Sequence, residues 1–219
     1  MAGSTSSTTG VKPRLRGTLH EWGFYIAIPL GIALGLAEQT TRGRVAASVF
    51  AATVVTMFGA SALYHRVSWS ASARPWLRRL DYAGIFGLIA GSYTPFGLLV
   101  LHGAWRISVL AIVWSGALAA IVLKFVWVGA PKWLGALLGL VLGWVGVAVF
   151  PQILAKTGLL ASLLVLAGGL SYTLGAIVYA IRKPDPHPTI FGYHELFHAL
   201  VLVAVGFQYA AVAFFVLPT

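Results

Sequence analysis

The sequence predicts an all-α, polytopic membrane protein: a seven-transmembrane-helix bundle with its N-terminus cytoplasmic and its C-terminus outside. Three observations carry this prediction. Hydrophobic residues fill 59% of the 219 positions and charged residues only 9%, with a mean hydropathy of +0.88. A soluble domain carries about 25% charged residues. The apolar residues fall into runs of the roughly 20 residues that a bilayer-crossing helix needs. The Lys and Arg residues lie between those runs and favour one side.

Composition narrows the function. Eight Trp and eight Tyr suit the lipid headgroup region, where amphipathic rings settle. The absence of Cys excludes disulfide frameworks and thiolate metal sites. A net charge of +10 sits in short loops, where it sets topology and meets anionic lipid. No soluble domain is left to bind nucleic acid, so membrane lipid is the expected partner. The expected location is integral to the cell (plasma) membrane.

The elements follow in order. Residues 1–18 are Ser/Thr/Gly-rich at their start and lack the apolar core of a signal peptide. They are expected to form a disordered cytoplasmic tail. Residues 19–219 form one seven-transmembrane-helix domain, with spans expected near 21–38, 45–65, 81–101, 105–127, 132–151, 158–181 and 188–217. Turns are marked by "HGAW" (102–105) and "GAPKW" (129–133). With the N-terminus inside, eleven Lys and Arg fall on that side and Arg42, Arg44, Arg106 and Lys156 on the other. Seven spans require the termini on opposite sides.

Ionisable groups at membrane depth are costly and point into the bundle. The chain has five carboxylates and six histidines. Glu38 and His102 fall at helix ends, and Asp185 and His187 in the loop "KPDPHP", where ordinary end and loop roles are expected. His65 ends the second span, Asp81 opens the third, and His194, Glu195 and His198 occupy the first turns of the last. All of these stand at the cytoplasmic ends of their helices. Three segments far apart in sequence thus bring imidazoles and a carboxylate to one depth.

Spacing sharpens the reading. Residues i and i+4 lie one above the other on a helix, so His194 and His198 can grip one ion. Ser61 shares that spacing with His65, one turn deeper. Catalytic zinc commonly takes three protein ligands plus water. His65, His194 and His198 supply three nitrogens, and Asp81 is left to hold or deprotonate the water. Nitrogen ligation favours Zn2+ over calcium or magnesium, which prefer oxygen. Each part alone has a plainer reading: a lone intramembrane histidine packs more often than it ligates, and Ser61 alone would be a small packing residue.

The pieces "SALYH" (61–65), "LDYAG" (80–84) and "HPTIFGYHELFHALV" (187–201) resemble the haemolysin III family, within the wider group of seven-helix progestin and adiponectin receptors. The resemblance covers the chain from about residue 12. It implies a zinc ion near the cytoplasmic face on His65, His194 and His198, Asp81 beside the zinc-bound water, and Ser61 one turn from the first ligand. The segment "KPRLRGTLHEWGF" (12–24) resembles the way bacterial members enter the first helix. For His20 and Glu21 within it, a helix-start or interfacial reading is the expectation. The long region preceding the helices in the animal receptors is missing, so a protein hormone is not an expected partner.

The expected function is a zinc-dependent hydrolase of a lipid-like amide or ester, with Asp81 handling the proton and Ser61 donating to the developing oxyanion. The lipid amide comes from the ceramide-hydrolysing activity of the adiponectin-receptor branch, by resemblance alone. Three alternatives stand beside it. The metal could be structural in a signalling protein, or the protein could permeabilise membranes as the family name implies. "HELFH" (194–198) also satisfies the HExxH pattern of metalloproteases, with Glu195 as base. Against the protease, Glu195 points about 100° around the helix from His194, and site-2 proteases place HExxH ahead of their ligating aspartate, the reverse of the order here.

Overall fold

A chain in lipid must satisfy its backbone hydrogen bonds internally, so the apolar runs become helices. The computed structural model describes residues 12–127 and 129–219. Among them are seven α-helices: α1 (Thr18–Ala37), α2 (Thr41–Arg66), α3 (Arg74–Pro95), α4 (Gly103–Val126), α5 (Lys132–Gly143), α6 (Phe150–Ile181) and α7 (Tyr193–Ala211). Phe96–Val100 extends α3 and Val212–Val216 extends α7 as π-helical turns. A 3-10 stretch, Trp144–Val149, joins α5 directly to α6.

That junction corrects the expected count. Among the described residues, six segments rather than seven are long and apolar enough to cross a membrane: Thr18–Ala37, Thr41–Arg66, Arg74–Val100, Gly103–Val126, Lys132–Ile181 and Tyr193–Val216. The expected spans 132–151 and 158–181 fall within one helical segment of 50 residues. The reason is local. The polar residues after Pro151 do not end the helix, because Thr157 Oγ1 donates back to the Ile153 carbonyl at 2.8 Å. Ser162 Oγ does the same to Gly158 at 2.9 Å. Opposite placement of the termini, N-terminus cytoplasmic and C-terminus outside, required an odd number of crossings. The eleven-to-four division of Lys and Arg presumed the same crossings and falls with them.

Within the 50-residue segment, Gly158 has φ 80° and ψ 177°, a conformation essentially reserved for glycine. The chain doubles back there, so that Trp144 Nε1 donates to Thr173 Oγ1 at 3.0 Å, 29 residues further on. Gly158→Ala is expected to destabilise the fold by about 1–3 kcal/mol, read as a lower melting temperature in detergent.

Helices α1 to α4 pack in succession, α6 pairs with α7, and α7 also meets α1. Phe50, Met57, Val113, Val149 and Val212 are buried between them, while Leu36, Ile107 and Val126 are among many large apolar side chains facing outward. A water-soluble protein rarely exposes so much contiguous apolar surface; in lipid it is the expected outer face. Gly84 lets α3 approach α2 closely, since a Cβ there would stand 2.9 Å from Met57 Cα.

Of the expected disordered tail, residues 1–11 lie outside the described residues. Residues 12–17 are held in place: the amides of Arg14 and Leu15 donate to the carbonyls of Thr189 and Ile190 at 3.0 and 3.1 Å. The segment before α1 is thereby tied to the loop before α7, beside the residues expected to form the site.

Candidate metal centre

Four helices end at the same end of the bundle. His65 closes α2, His194 and His198 open α7, Asp81 lies in the early turns of α3, and His20 in the first turn of α1. Each lies near the polar end of a largely apolar helix, so packing the apolar faces gathers these groups at one place.

The three histidines expected to ligate a metal do converge. His65, His194 and His198 are buried, and one nitrogen from each lies within 4.8 Å of the others. His65 Nε2 and His194 Nε2 face each other at 3.2 Å. Their rings are inclined at 64° with centroids 4.6 Å apart, and His194 and His198 repeat both values. Lone pairs this close repel unless a proton or a cation lies between them. Two imidazole nitrogens bound to one tetrahedral zinc, each at 2.0–2.1 Å, are separated by about 3.3 Å, so the spacing fits. His198 Nδ1 is buried with no hydrogen-bond partner among the described residues, as suits a nitrogen not satisfied by protein. A donor set of three imidazoles suits zinc or another first-row metal rather than calcium.

Asp81 stands beside this cluster, not tied into it. Its Oδ2 lies 3.6 Å from His65 Nε2, past direct hydrogen bonding. Ser61 is buried, one turn deeper than His65, and its Oγ is 2.8 Å from His20 Nδ1. His20 is the residue that sequence reasoning placed at a helix start or the interface. It is buried, and its ring stacks on His198 with centroids 3.8 Å apart and planes 10° apart. A signal was present: His20 stands at the same end of its helix as the other three. Gly17 makes room for this entry, with φ 80° and a hydrogen where a Cβ would sit 2.7 Å from His65 Cβ.

Glu195, the residue that gives "HELFH" its protease look, is occupied elsewhere. It pairs with Arg16, and its Oε2 accepts from the Gly192 amide at 2.9 Å, capping α7 at its third residue. Asp185 completes that cap by accepting from the Tyr193 amide at 2.7 Å. Neither carboxylate is directed at the histidine cluster. Glu38, His102 and His187 also stay away from it; His102 Nδ1 meets Gln152 Oε1 at 2.7 Å.

Because Glu195 is fully buried, Arg16→Ala leaves a carboxylate unpaired. The expected cost is about 3–5 kcal/mol, relieved in part by adding Glu195→Gln. Melting temperature checks both, and limited proteolysis near residues 12–17 should quicken in the single variant.

Positive charge surrounds this end. Lys132 Nζ donates to Tyr193 OH at 3.1 Å and lies 5.0 Å from the Tyr179 ring centroid. Lys12 Nζ donates to the Arg66 carbonyl, and burial, followed by repulsion from Arg66, Arg16 and Arg74, lowers its pKa below the ordinary lysine value.

An elongated cavity opens from the cluster into the bundle. His194, His198, Ser61 and Asp81 border it at one end, and Leu101 at the other. Asp81 lies on α3 and Leu101 directly follows its extension, so the lining spans about 30 Å along that helix. Between them its walls are mostly apolar.

The family described as haemolysin-III related matches residues 9–209. Hemolysin-3 of Bacillus cereus is 31% identical over 220 residues, covering 98% of this chain and 97% of that protein. The Hemolysin-3 homolog of Bacillus subtilis (strain 168) is 33% identical over 169 residues, with 77% and 76% covered. The heptahelical transmembrane protein ADIPOR2 of Oryza sativa subsp. japonica is 33% identical over 184 residues, with 75% and 79% covered. With six apolar helices, a buried histidine triad and a family match over most of its length, the chain is an integral, multi-pass membrane protein and belongs to the haemolysin III family.

Proposed function

We propose that this protein is a zinc-dependent hydrolase of a lipid-like amide or ester. One observation carries the reading: three buried imidazoles and a free carboxylate stand at the end of a long apolar cavity. A metal at the mouth of such a cavity meets the polar head of a chain whose tail the walls hold.

His65, His194 and His198 would hold the ion. When bound, zinc supplies Lewis acidity, polarising a carbonyl and bringing the pKa of water toward about 7. The chain's own groups do the rest. Asp81 Oδ2, beside His65 but outside direct hydrogen bonding to it, would accept a proton from an attacking water and pass it to the leaving group. With its proton on Nδ1, His20 donates to Ser61 Oγ, which frees the hydroxyl hydrogen for a substrate oxygen that gains negative charge. The apolar walls bind the acyl chain and exclude bulk water from the reacting carbonyl. Glu195 has no part in the chemistry; its two hydrogen-bonding oxygens fix the start of α7, and with it His194 and His198.

The test is to incubate the purified protein with a panel of long-chain amides and esters, with chelator, without it, and with zinc restored. Fatty acid release that chelator stops and zinc restores is expected. Release that ignores chelator would remove the metal from the reaction. No release from any member, with metal bound, would favour a structural metal in a signalling or membrane-permeabilising protein.

A further inference from the structure

The cavity carries a second polar feature, far from the histidines. Most hydroxyl groups along it are occupied: Tyr93 OH donates to the Gly143 carbonyl and accepts from the Gly146 amide, and Thr173 accepts from Trp144. Ser92 and Tyr172 differ. Ser92 Oγ and Tyr172 OH are shielded from solvent and have no hydrogen-bond partner among the described residues. Both residues line the cavity, as does Gln208. Hydroxyls without partners in an apolar setting are costly to bury, so their presence calls for a polar group to meet them.

The three residues share one depth. Ser92 is eleven residues beyond Asp81 on α3, and Gln208 ten beyond His198 on α7, which puts them about 15–17 Å along their helices from those residues at 1.5 Å per residue. Tyr172 lies on α6, two turns from Tyr179, whose hydroxyl meets that of Tyr82 at 3.2 Å beside Asp81. Its side chain leans toward the start of α6, away from the metal end. Gly168, one turn before Tyr172, is in contact with Gln208: a Cβ there would be 3.1 Å from Gln208 Nε2. Helices α3, α6 and α7 therefore each bring one polar side chain to the same level of the cavity.

We infer that Ser92, Tyr172 and Gln208 form a subsite for an oxygen function partway along the lipid chain. An extended chain advances about 1.3 Å per carbon, so a carbonyl at the histidine cluster places about its twelfth carbon at this level. The substrate class is thus a long acyl chain bearing a mid-chain hydroxyl or comparable oxygen. Ser92 and Tyr172 can each donate to that oxygen or accept from it, and the Gln208 amide offers both. The inference rests on the reading of the cavity as an acyl site, and it extends that reading from chain to chain chemistry.

Binding of product acids tests it without requiring turnover. Stearic, 12-hydroxystearic and 2-hydroxystearic acids are competed against a fluorescent fatty acid on the full-length, metal-loaded protein in detergent. The 12-hydroxy acid is expected to bind about 5- to 10-fold more tightly than stearic acid, the worth of one or two net hydrogen bonds, and the 2-hydroxy acid to show no such gain. Tyr172→Phe and, separately, Ser92→Ala should bring the ratio of 12-hydroxystearic to stearic affinity toward one. The ratio is measured within a single preparation, so any loss of folded protein cancels. Equal affinities in the unaltered protein, or a preference that survives in both variants, would overturn the subsite while leaving the acyl cavity intact. If none of the three acids competes, the acyl reading fails and the subsite with it.

Discussion

His65→Ala, His194→Ala and His198→Ala are each expected to lower the metal content of the purified protein from about one ion per chain to less than about a tenth of that. Each imidazole is one of three, and removing one leaves two protein ligands where catalytic zinc sites use three. The three side chains come from two helices, α2 and α7, so loss of the ion also releases a tie between them. A drop in melting temperature should accompany the loss, since metal binding to the folded state contributes directly to stability. His20→Ala is the informative contrast. His20 stacks on His198 and bonds Ser61, so its loss should weaken metal affinity by about 10- to 100-fold, as outer-shell partners do, without abolishing binding. Elemental analysis of the four variants checks the whole set. Full metal in all three single ligand variants would dismantle the site.

Asp81→Ala should have the opposite profile: metal retained, turnover lowered by about 10²- to 10⁴-fold, the range for removal of a positioned acid–base group. The expectation follows from its placement. Asp81 Oδ2 is 3.6 Å from His65 Nε2, too far to share that imidazole's hydrogen bond, and it lines the cavity. Asp81→Asn keeps the shape and removes the proton acceptor, so it should be about as inactive as the alanine variant. Activity within about tenfold of the unaltered protein in both variants would assign proton transfer to another group. Release rates on the best amide or ester, with metal content measured on the same samples, separate the two outcomes.

The histidine triad was legible because helix geometry and helix-end position both pointed to it. A helix of 3.6 residues per turn fixes His194 and His198 on one face, and helix ends in lipid sort polar residues to one depth. That logic needs no knowledge of which helices touch. His20 was missed because its role comes from a stack across two helices, a tertiary contact that spacing within α1 does not encode. Glu195 was readable in part: a glycine followed three residues later by glutamate is the spacing of a helix cap, but the pairing with Arg16, 179 residues away, is not. The span count failed where the helix signal was most continuous. The polar residues Gln152, Lys156 and Thr157 resemble a loop in one dimension, yet the Thr157 hydroxyl satisfies a backbone carbonyl of its own helix, and helical geometry within α6 breaks at Gly158.

The measurement that bears most directly on the three-histidine centre is X-ray absorption at the zinc edge on the purified, full-length protein. The expected result is about one zinc per chain with three imidazole nitrogens at about 2.0–2.1 Å and one further light ligand, and almost no zinc signal in His194→Ala. A protein that binds no zinc when zinc is supplied, or a zinc whose ligands include no histidine, would contradict it.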